Sequence, residues 1–376
     1  MMRDNLCAEA GYVSLKKEGE ALSGDRVEVF GDSEGLVLVL ADGLGTGVKA
    51  SILSTLTAKI LGTMIAGGMP LQECVDAVAR TLPEGGEGAY STFTAIEIRE
   101  EGEVRLIQFD NPAVVALRGG EVWDYPRERR EIAGRAVLES KVPCREGDVF
   151  VALSDGVVNA GGARWRPSET AALVKELYRP GISAKTLSAS LADVVDGLCE
   201  GLFADDATVA AVRIRLRAMA SVAFGPPANP EQDAAMMNLF FGKAGAKIVC
   251  GGTTAMIAAR RLATGVVPLE GAPGDAVPPM SEICGVDLVT EGVLTFARAL
   301  EYAERAPGGG EMPRDLFAGG DGAARLARAL VESATDIHFL VGRGGAAATG
   351  VLRERLVRSM GACLEKMGKR VVISWF

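Results

Sequence analysis

Four aspartates carry the chemistry this sequence can do: Asp25, Asp42, Asp155 and Asp205. Each stands where a short apolar run begins or ends, in Ser23-Gly24-Asp25, Leu40-Ala41-Asp42-Gly43, Leu153-Ser154-Asp155-Gly156 and Asp205-Asp206-Ala207-Thr208. An isolated Asp-Gly is an ordinary turn. The four acquire meaning only if the fold gathers them. The chain has a single histidine, His338, far from all four in sequence. A Ser-His-Asp triad or a histidine-ligated zinc would need the fold to bring it back. Carboxylates without nitrogen or sulfur partners suit hard cations such as Mg²⁺ or Mn²⁺. Two such ions can share a bridging carboxylate about 3.5–4 Å apart and lower the pKa of a water held between them. The reaction this favours is hydrolysis of a phosphate ester by in-line attack of water, without a protein nucleophile.

The elements that must position the acids can be read locally. Leu36–Leu40 is apolar on both faces, as a strand covered on both sides is. Arg26–Phe30 alternates, and Gly31-Asp32-Ser33-Glu34-Gly35 between the two runs is a turn, which predicts a hairpin. With the turn centred between Ser33 and Glu34, Asp25 lies directly across the ladder from Asp42. Cross-strand partners hold their Cβ atoms roughly 5 Å apart, where like charges are destabilising, so this pair wants a cation. Val149–Ser154 predicts a buried strand ending at Asp155, and Thr208–Ile214 a strand beginning just after Asp205. If those two pair antiparallel, their acids share one sheet edge. Gly47–Ala66 predicts a helix with Val48, Ile52, Leu56, Ile60, Leu61, Met64 and Ile65 inward. Pro70–Leu82 predicts a second, with Leu71, Cys74, Val75, Val78 and Leu82 inward. Ser91–Ile98, Val104–Asp110, Ala113–Arg118 and Glu121–Asp124 read as an antiparallel meander. Ser168–Leu177 and Ala184–Leu198 read as helices.

In this order, Ser23-Gly24-Asp25, Ala41-Asp42-Gly43-Leu44-Gly45-Thr46-Gly47 with Ala50, Leu153-Ser154-Asp155-Gly156-Val157 and Asp205-Asp206-Ala207-Thr208-Val209 form a set. The set resembles the SpoIIE branch of the PP2C-type, metal-dependent serine/threonine phosphatases, over roughly residues 8–216. The resemblance implies a PP2C-like four-layer α/β/β/α sandwich, two antiparallel sheets flanked by helices. It implies two Mn²⁺ or Mg²⁺ ions and phosphoserine or phosphothreonine on a protein as substrate, with an anti-sigma-factor antagonist as the suggested partner. Carried over by residue, Asp42 would bridge the ions and the Gly43 carbonyl would bind one. Asp155 and Asp205 would hold the other. Asp25 would bind a metal or orient its water. Asp206 matches a position that often supports the ligands, and the helix pair at 47–66 and 70–82 matches one that can act as a switch. Two departures concern substrate recognition. The arginine motif that grips phosphate in larger relatives is missing, with Arg26 as the nearest substitute. Phe109-Asp110-Asn111-Pro112 stands where a histidine-containing loop is usual.

Composition narrows the class. The chain has 376 residues, 48% apolar and 24% charged, which is enough for two or three packed domains. Its net charge of −9 argues against nucleic acid as a partner. The first twenty residues hold no apolar signal core, and Asp42 and the glycines interrupt the best apolar run, so neither export nor a membrane span is expected. Seven scattered cysteines without a CxxC pair fit reduced thiols and a cytoplasmic location. A homodimer is the candidate assembly.

Residues 1–218 are thus expected as the phosphatase-like domain, and 219–230 as a linker, marked by Phe224-Gly225-Pro226-Pro227-Ala228-Asn229-Pro230. Residues 231–376 are expected as a small α/β domain, with strands at Ala246–Cys250, Asp336–Val341 and Val371–Trp375. In it, Gly251-Gly252-Thr253-Thr254 follows a strand and opens a helix. That is either an anion site built from free N–H groups or an ordinary strand-to-helix turn. Gly342-Arg343-Gly344-Gly345-Ala346-Ala347 fits a loose GxGxxA but lacks the acid a ribose needs. His338 lies inside a strand and reads as a core histidine. Cys74 and Arg80 match the CxxxxxR spacing of tyrosine phosphatases without the glycines of a phosphate loop, and no GxxxxGK[ST] occurs. Two functions follow. One is a metal-dependent protein phosphatase whose C-terminal domain regulates it or recruits substrate. The other is a non-catalytic module in which the Gly251–Thr254 turn binds a phosphorylated metabolite or nucleotide.

Overall fold

The computed structural model describes residues 5–31, 35–81, 91–99, 102–162, 165–269, 278–305 and 320–376. The turn residues 32–34 and Leu82 lie outside the described residues. Two units divide the chain, Met1–Leu216 and Arg217–Phe376.

Period-two burial builds the first unit. Its elements are β1 (Leu6–Leu15), β2 (Asp25–Gly31), β3 (Leu36–Gly43), α1 (Gly47–Ala66), α2 (Leu71–Thr81), β4 (Ser91–Arg99), β5 (Glu103–Phe109) and β6 (Val115–Arg118). They continue with β7 (Glu121–Val122), β8 (Glu128–Ile132), β9 (Arg135–Pro143), β10 (Val149–Leu153), α3 (Asp155–Val158), α4 (Pro167–Leu177), α5 (Ala184–Cys199) and β11 (Ala207–Leu216). One antiparallel sheet runs β2-β3-β4-β5-β9-β8 and the other β1-β11-β10-β6-β7. Leu38 and Leu40 of β3 meet Phe150 of β10 and Ala210 and Val212 of β11 in the core between the sheets. The alternate residues Val37, Val39 and Ala41 face α1 and α2. Val151 and Leu153 of β10 face α4 and α5. The result is the expected four-layer α/β/β/α sandwich.

Several local readings change. The expected meander splits, because β6 and β7 join the other sheet. Asp110 takes φ 54° and Pro112 cannot donate to a ladder, so the chain leaves the first sheet after Phe109. The expected apolar stripe of α1 is partly outside: Val48 and Ile52 are exposed, while Ala50, Leu53, Thr57, Ala58, Leu61 and Ile65 are buried. Small residues bring this helix close to the sheet, and a Cβ on Gly62 would fall 2.0 Å from the Phe30 ring. By length and apolar composition α1 does meet the test for a membrane span, contrary to expectation, since only Lys49 and Lys59 are charged in it. Its buried side lies against β2, β3 and β4, the place of a core helix. β1, β8 and β9 have no counterpart in the sequence reading.

The second unit contains β12 (Met219–Phe224), α6 (Asp233–Gly242), β13 (Ala246–Cys250), α7 (Gly252–Arg261), β14 (Val267–Pro268), β15 (Ser281–Glu282) and β16 (Leu288–Thr290). It ends with α8 (Val293–Arg305), α9 (Gly322–Arg328), β17 (Asp336–Val341), α10 (Ala347–Lys366) and β18 (Arg370–Trp375). Its sheet runs β14-β15-β16-β13-β12-β17-β18, parallel from β16 to β18. Segment 219–230 is therefore not a linker, because β12 lies mid-sheet between β13 and β17. Proline and glycine follow that strand rather than precede the domain.

The inter-sheet core of the first unit holds the acids in place. Phe150→Ala is expected to lower its stability by about 3–5 kcal/mol, read by chemical denaturation.

Candidate active site

Strand alternation brings the acids to one end of the inter-sheet core. Asp25 pairs with Asp42 across the β2–β3 ladder, the register expected from the hairpin. Val27, Leu38 and Leu40 face the core, so the same alternation turns Asp25 and Asp42 toward it. On β11, Ala210 and Val212 face that core, and two and four residues earlier stand Thr208 and Asp206. Leu153 of β10 lies opposite Val209, which sets Asp155 beside the head of β11. Asp155 and Asp205 are exposed, Asp42 is half-buried, and Asp25 is only 6% exposed.

The acids act on one another. Burial, then the charges of Asp155, Asp205 and Asp206, push the Asp42 carboxyl up to about 7. Burial, then Asp42, push Asp25 well above the ordinary carboxylate range. Asp205 is raised by burial, eased by the Asp206 N–H, and raised again by Asp155. Neither oxygen of Asp25 accepts a hydrogen bond. The nearby Ser154 and Thr208 hydroxyls ease its shift, but they donate elsewhere, to the Asp206 carbonyl and the Ser14 hydroxyl.

Asp206 has a different task. Its Oδ1 accepts the Lys17 N–H at 3.0 Å and its Oδ2 the Gly24 N–H at 2.6 Å. The Gly24 carbonyl in turn accepts the Gly43 N–H at 3.1 Å. One chain of bonds thus ties the head of β11 to the residue before Asp25 and the residue after Asp42. The signal for this role was the second acid of Asp205-Asp206, and sequence cannot say which of the two turns inward. The motif glycines serve close approach. A Cβ on Gly43 would stand 2.0 Å from the Ala50 carbonyl oxygen, and one on Gly156 2.1 Å from that of Asp206.

The donor set fits hard divalent ions. A buried carboxylate with two unpartnered oxygens, opposed to a second carboxylate, lacks only positive charge. Among the described residues, no three Asp, Glu, Cys or His side chains are gathered tightly enough to hold an ion as they stand.

The remaining candidates fall elsewhere. Arg26 alternates away from Asp25 and pairs with Glu28 at 2.7 Å. Asn111 accepts from the Thr92 hydroxyl, and Thr92 lies opposite Asp42 in the ladder. Cys74 is buried within α2, as its helical setting suggested. His338 is a core residue of the second unit: its Nε2 meets Ser374 Oγ at 2.8 Å, and burial lowers its pKa to about 4. The Gly251–Thr254 turn belongs to the second unit.

The raised carboxyls have a thermodynamic consequence. The folded protein holds protons on Asp42 that the unfolded chain has released, from about pH 4 to about 7. That group's stabilising share is present below pH 4 and is lost as pH rises through 7. In chelator the melting temperature should fall across this range, and Asp42→Asn should flatten the fall and raise the melting temperature at pH 8 by at least about 3 °C. Scanning calorimetry of both proteins checks this.

Residues 32–215 match the family model described as Stage II sporulation protein E (SpoIIE). No curated protein matches the chain. Among solved structures, it is similar to the phosphatase domain of SpoIIE from Bacillus subtilis, at 19% identity over 57% of this chain and 94% of that one, with a TM-score of 0.46. It is similar to the RsbU and RsbW domains of Rv1364c from Mycobacterium tuberculosis, at 18% identity over 63% and 67%, with a TM-score of 0.46. A structure of RsbX in complex with magnesium shares 18% identity over 55% and 95%, with a TM-score of 0.42. The family match ends one residue before the first unit does and takes in Asp42, Asp155 and Asp205. The first unit of this chain, a sandwich of two antiparallel sheets, is thus the part that matches the SpoIIE family, over residues 32–215.

Proposed function

We propose that the first unit is a divalent-metal-dependent phosphatase that releases phosphate from phosphoserine or phosphothreonine of a protein. The observation that carries this is the opposed Asp25–Asp42 pair, with Asp25 buried and unpartnered, at the edge that also receives Asp155 and Asp205. Asp42, the Gly43 carbonyl, Asp155 and Asp205 would hold two ions, Mn²⁺ or Mg²⁺. Bound there, such ions supply a water that is nucleophilic near neutral pH and positive charge for the phosphoryl oxygens. Asp25 has both oxygens free to take a metal or to accept a hydrogen bond from that water and align it. Asp206 spends its oxygens on two backbone amides and so positions rather than ligates. The exposure of Asp155 and Asp205 leaves the mouth open to a phosphoryl group carried on a protein chain. The resemblance to the SpoIIE branch makes a phosphorylated anti-sigma-factor antagonist the partner class to try first.

Mn²⁺-dependent phosphate release from a phosphoserine protein tests this. Asp42→Asn and Asp155→Asn should each be at least about a hundredfold slower than wild type. Asp206→Ala should lose about 10–100-fold, chiefly through weaker Mn²⁺ binding in calorimetry. Equal rates in wild type and Asp42→Asn would overturn the metal assignment.

A further inference from the structure

The second unit has two places where a ligand crevice belongs. In a doubly wound sheet, the crevice opens beyond the carboxyl ends of neighbouring parallel strands whose helices leave to opposite faces. Here α6 and α7 pack on one face, with Met236, Phe240 and Ala258. On the other face are α8, α9 and α10, with Phe296, Leu326 and Val357. The neighbours that part in this way are β12 with β17, and β13 with β16.

The chain itself fills the first crevice. Gly342 N–H donates to the Phe224 carbonyl at 3.1 Å and Gly344 N–H to that of Pro226 at 2.9 Å. A Cβ on Gly342 would stand 2.0 Å from the Pro226 oxygen. The buried Arg353 guanidinium donates to the carbonyls of Gly342 and Gly344. The loose GxGxxA pattern closes the sheet end and leaves no room for a pyrophosphate.

The second crevice shares one such bond, the Gly251 N–H donating to the Thr290 carbonyl at 2.9 Å, and differs in what lies beyond it. The loops after β13 and β16 meet glycine to glycine, with a Cβ on Gly251 falling 3.8 Å from Gly292 Cα. Gly251 has φ 110°, which only glycine adopts freely. α7 begins at Gly252 and α8 at Val293, so two helix heads reach this crevice from opposite faces. Their first-turn amides have no partner inside the helix, and their dipoles present positive potential. The third residue of each helix is a threonine. Thr254 is 1% exposed and Thr295 0%, and neither hydroxyl has a hydrogen-bond partner. Thr254 Oγ1 points back to the helix head, 3.6 Å from where a Cβ on Gly251 would stand. A buried hydroxyl left without a partner is costly, and two occur at equivalent helix positions. Exposed Glu291 turns its carboxylate onto the Gly292 N–H at 3.3 Å, a long bond that a ligand hydroxyl can replace.

The geometry points to a small-molecule site at this crevice for a phosphate monoester that carries hydroxyls, a sugar phosphate or a nucleotide. The phosphoryl oxygens take the amides of Gly252, Thr253 and Thr254 and the Thr254 hydroxyl. Glu291 accepts from a ligand hydroxyl, which separates such a ligand from bare phosphate. None of this draws on the first unit.

The test uses the full chain in chelator, on an Asp42→Asn background, so that phosphate has no metal centre to occupy. The probes are ribose 5-phosphate, AMP and inorganic phosphate, titrated by calorimetry. Saturable binding of ribose 5-phosphate or AMP, tighter than inorganic phosphate, is expected. Thr254→Val should weaken it at least about tenfold. Glu291→Gln should weaken the two sugar-bearing probes and leave inorganic phosphate unchanged. Gly252→Pro removes one amide at a helix position proline tolerates, and serves if Thr254→Val does not fold. Stronger binding of AMP than of ribose 5-phosphate would identify the nucleotide. Absence of saturable binding by any probe at millimolar concentration, or binding unchanged in both Thr254→Val and Gly252→Pro, overturns the site.

Discussion

Two carboxylates that face each other across a β-ladder, one of them buried, are an unstable arrangement unless the rest of the fold enforces it. Asp25 and Asp42 are so placed, and the first unit is the device that enforces it. Their positions follow from apolar neighbours two residues away, Val27 and Leu40, which the inter-sheet core holds. The pair could leave this place only by a one-residue slip of one strand, which would turn that strand's core side chains outward. The hydrophobic core therefore stabilises an electrostatic conflict that the acids alone would resolve by moving apart.

The second sheet completes the conflict and braces it. Asp155 and Asp205 arrive at the ends of β10 and β11, whose pairing fixes their separation along the edge. Asp206 turns inward and accepts the amides of Lys17 and Gly24. A hydrogen bond to a charged acceptor is stronger than one between neutral groups, so this clasp holds the backbone near Asp25 while the side chain of Asp25 stays unpaired. Gly43 and Gly156 let α1 and the head of β11 come within distances that any Cβ would prevent. This sheet edge is tied together through its backbone while the Asp25 oxygens stay without partners.

The second unit solves a different problem with a parallel sheet. Parallel strands send their helices to one face or the other, and wherever neighbours part a gap follows at the carboxyl end. One gap is closed by backbone bonds between the loops after β12 and β17, and by Arg353. The other gathers two helix heads and the unpaired Thr254 hydroxyl. In both gaps a glycine amide donates to the last carbonyl of the neighbouring strand, and only the first is packed further by a buried guanidinium.

What sequence alone determined here was short in range. The hairpin register that opposes Asp25 and Asp42 follows from a tight turn and strict alternation, and needs nothing beyond residues 25–42. The order of the four acidic motifs carries a family resemblance, and that resemblance implied a sandwich of two antiparallel sheets. Tertiary structure decided the rest. Met219–Phe224 reads as the edge of a loop because the prolines that follow it are local, whereas its place in mid-sheet comes from β13 and β17, distant in the chain. Val48 and Ile52 look like core, yet the sheet chose the small-residue face of α1, since a helix packs closest where its side chains are smallest. Asp205 and Asp206 are the same residue type side by side. Only pairing with another sheet sends one to the solvent edge and the other to the backbone of Gly24, because alternation is local but the face that becomes the inside is not.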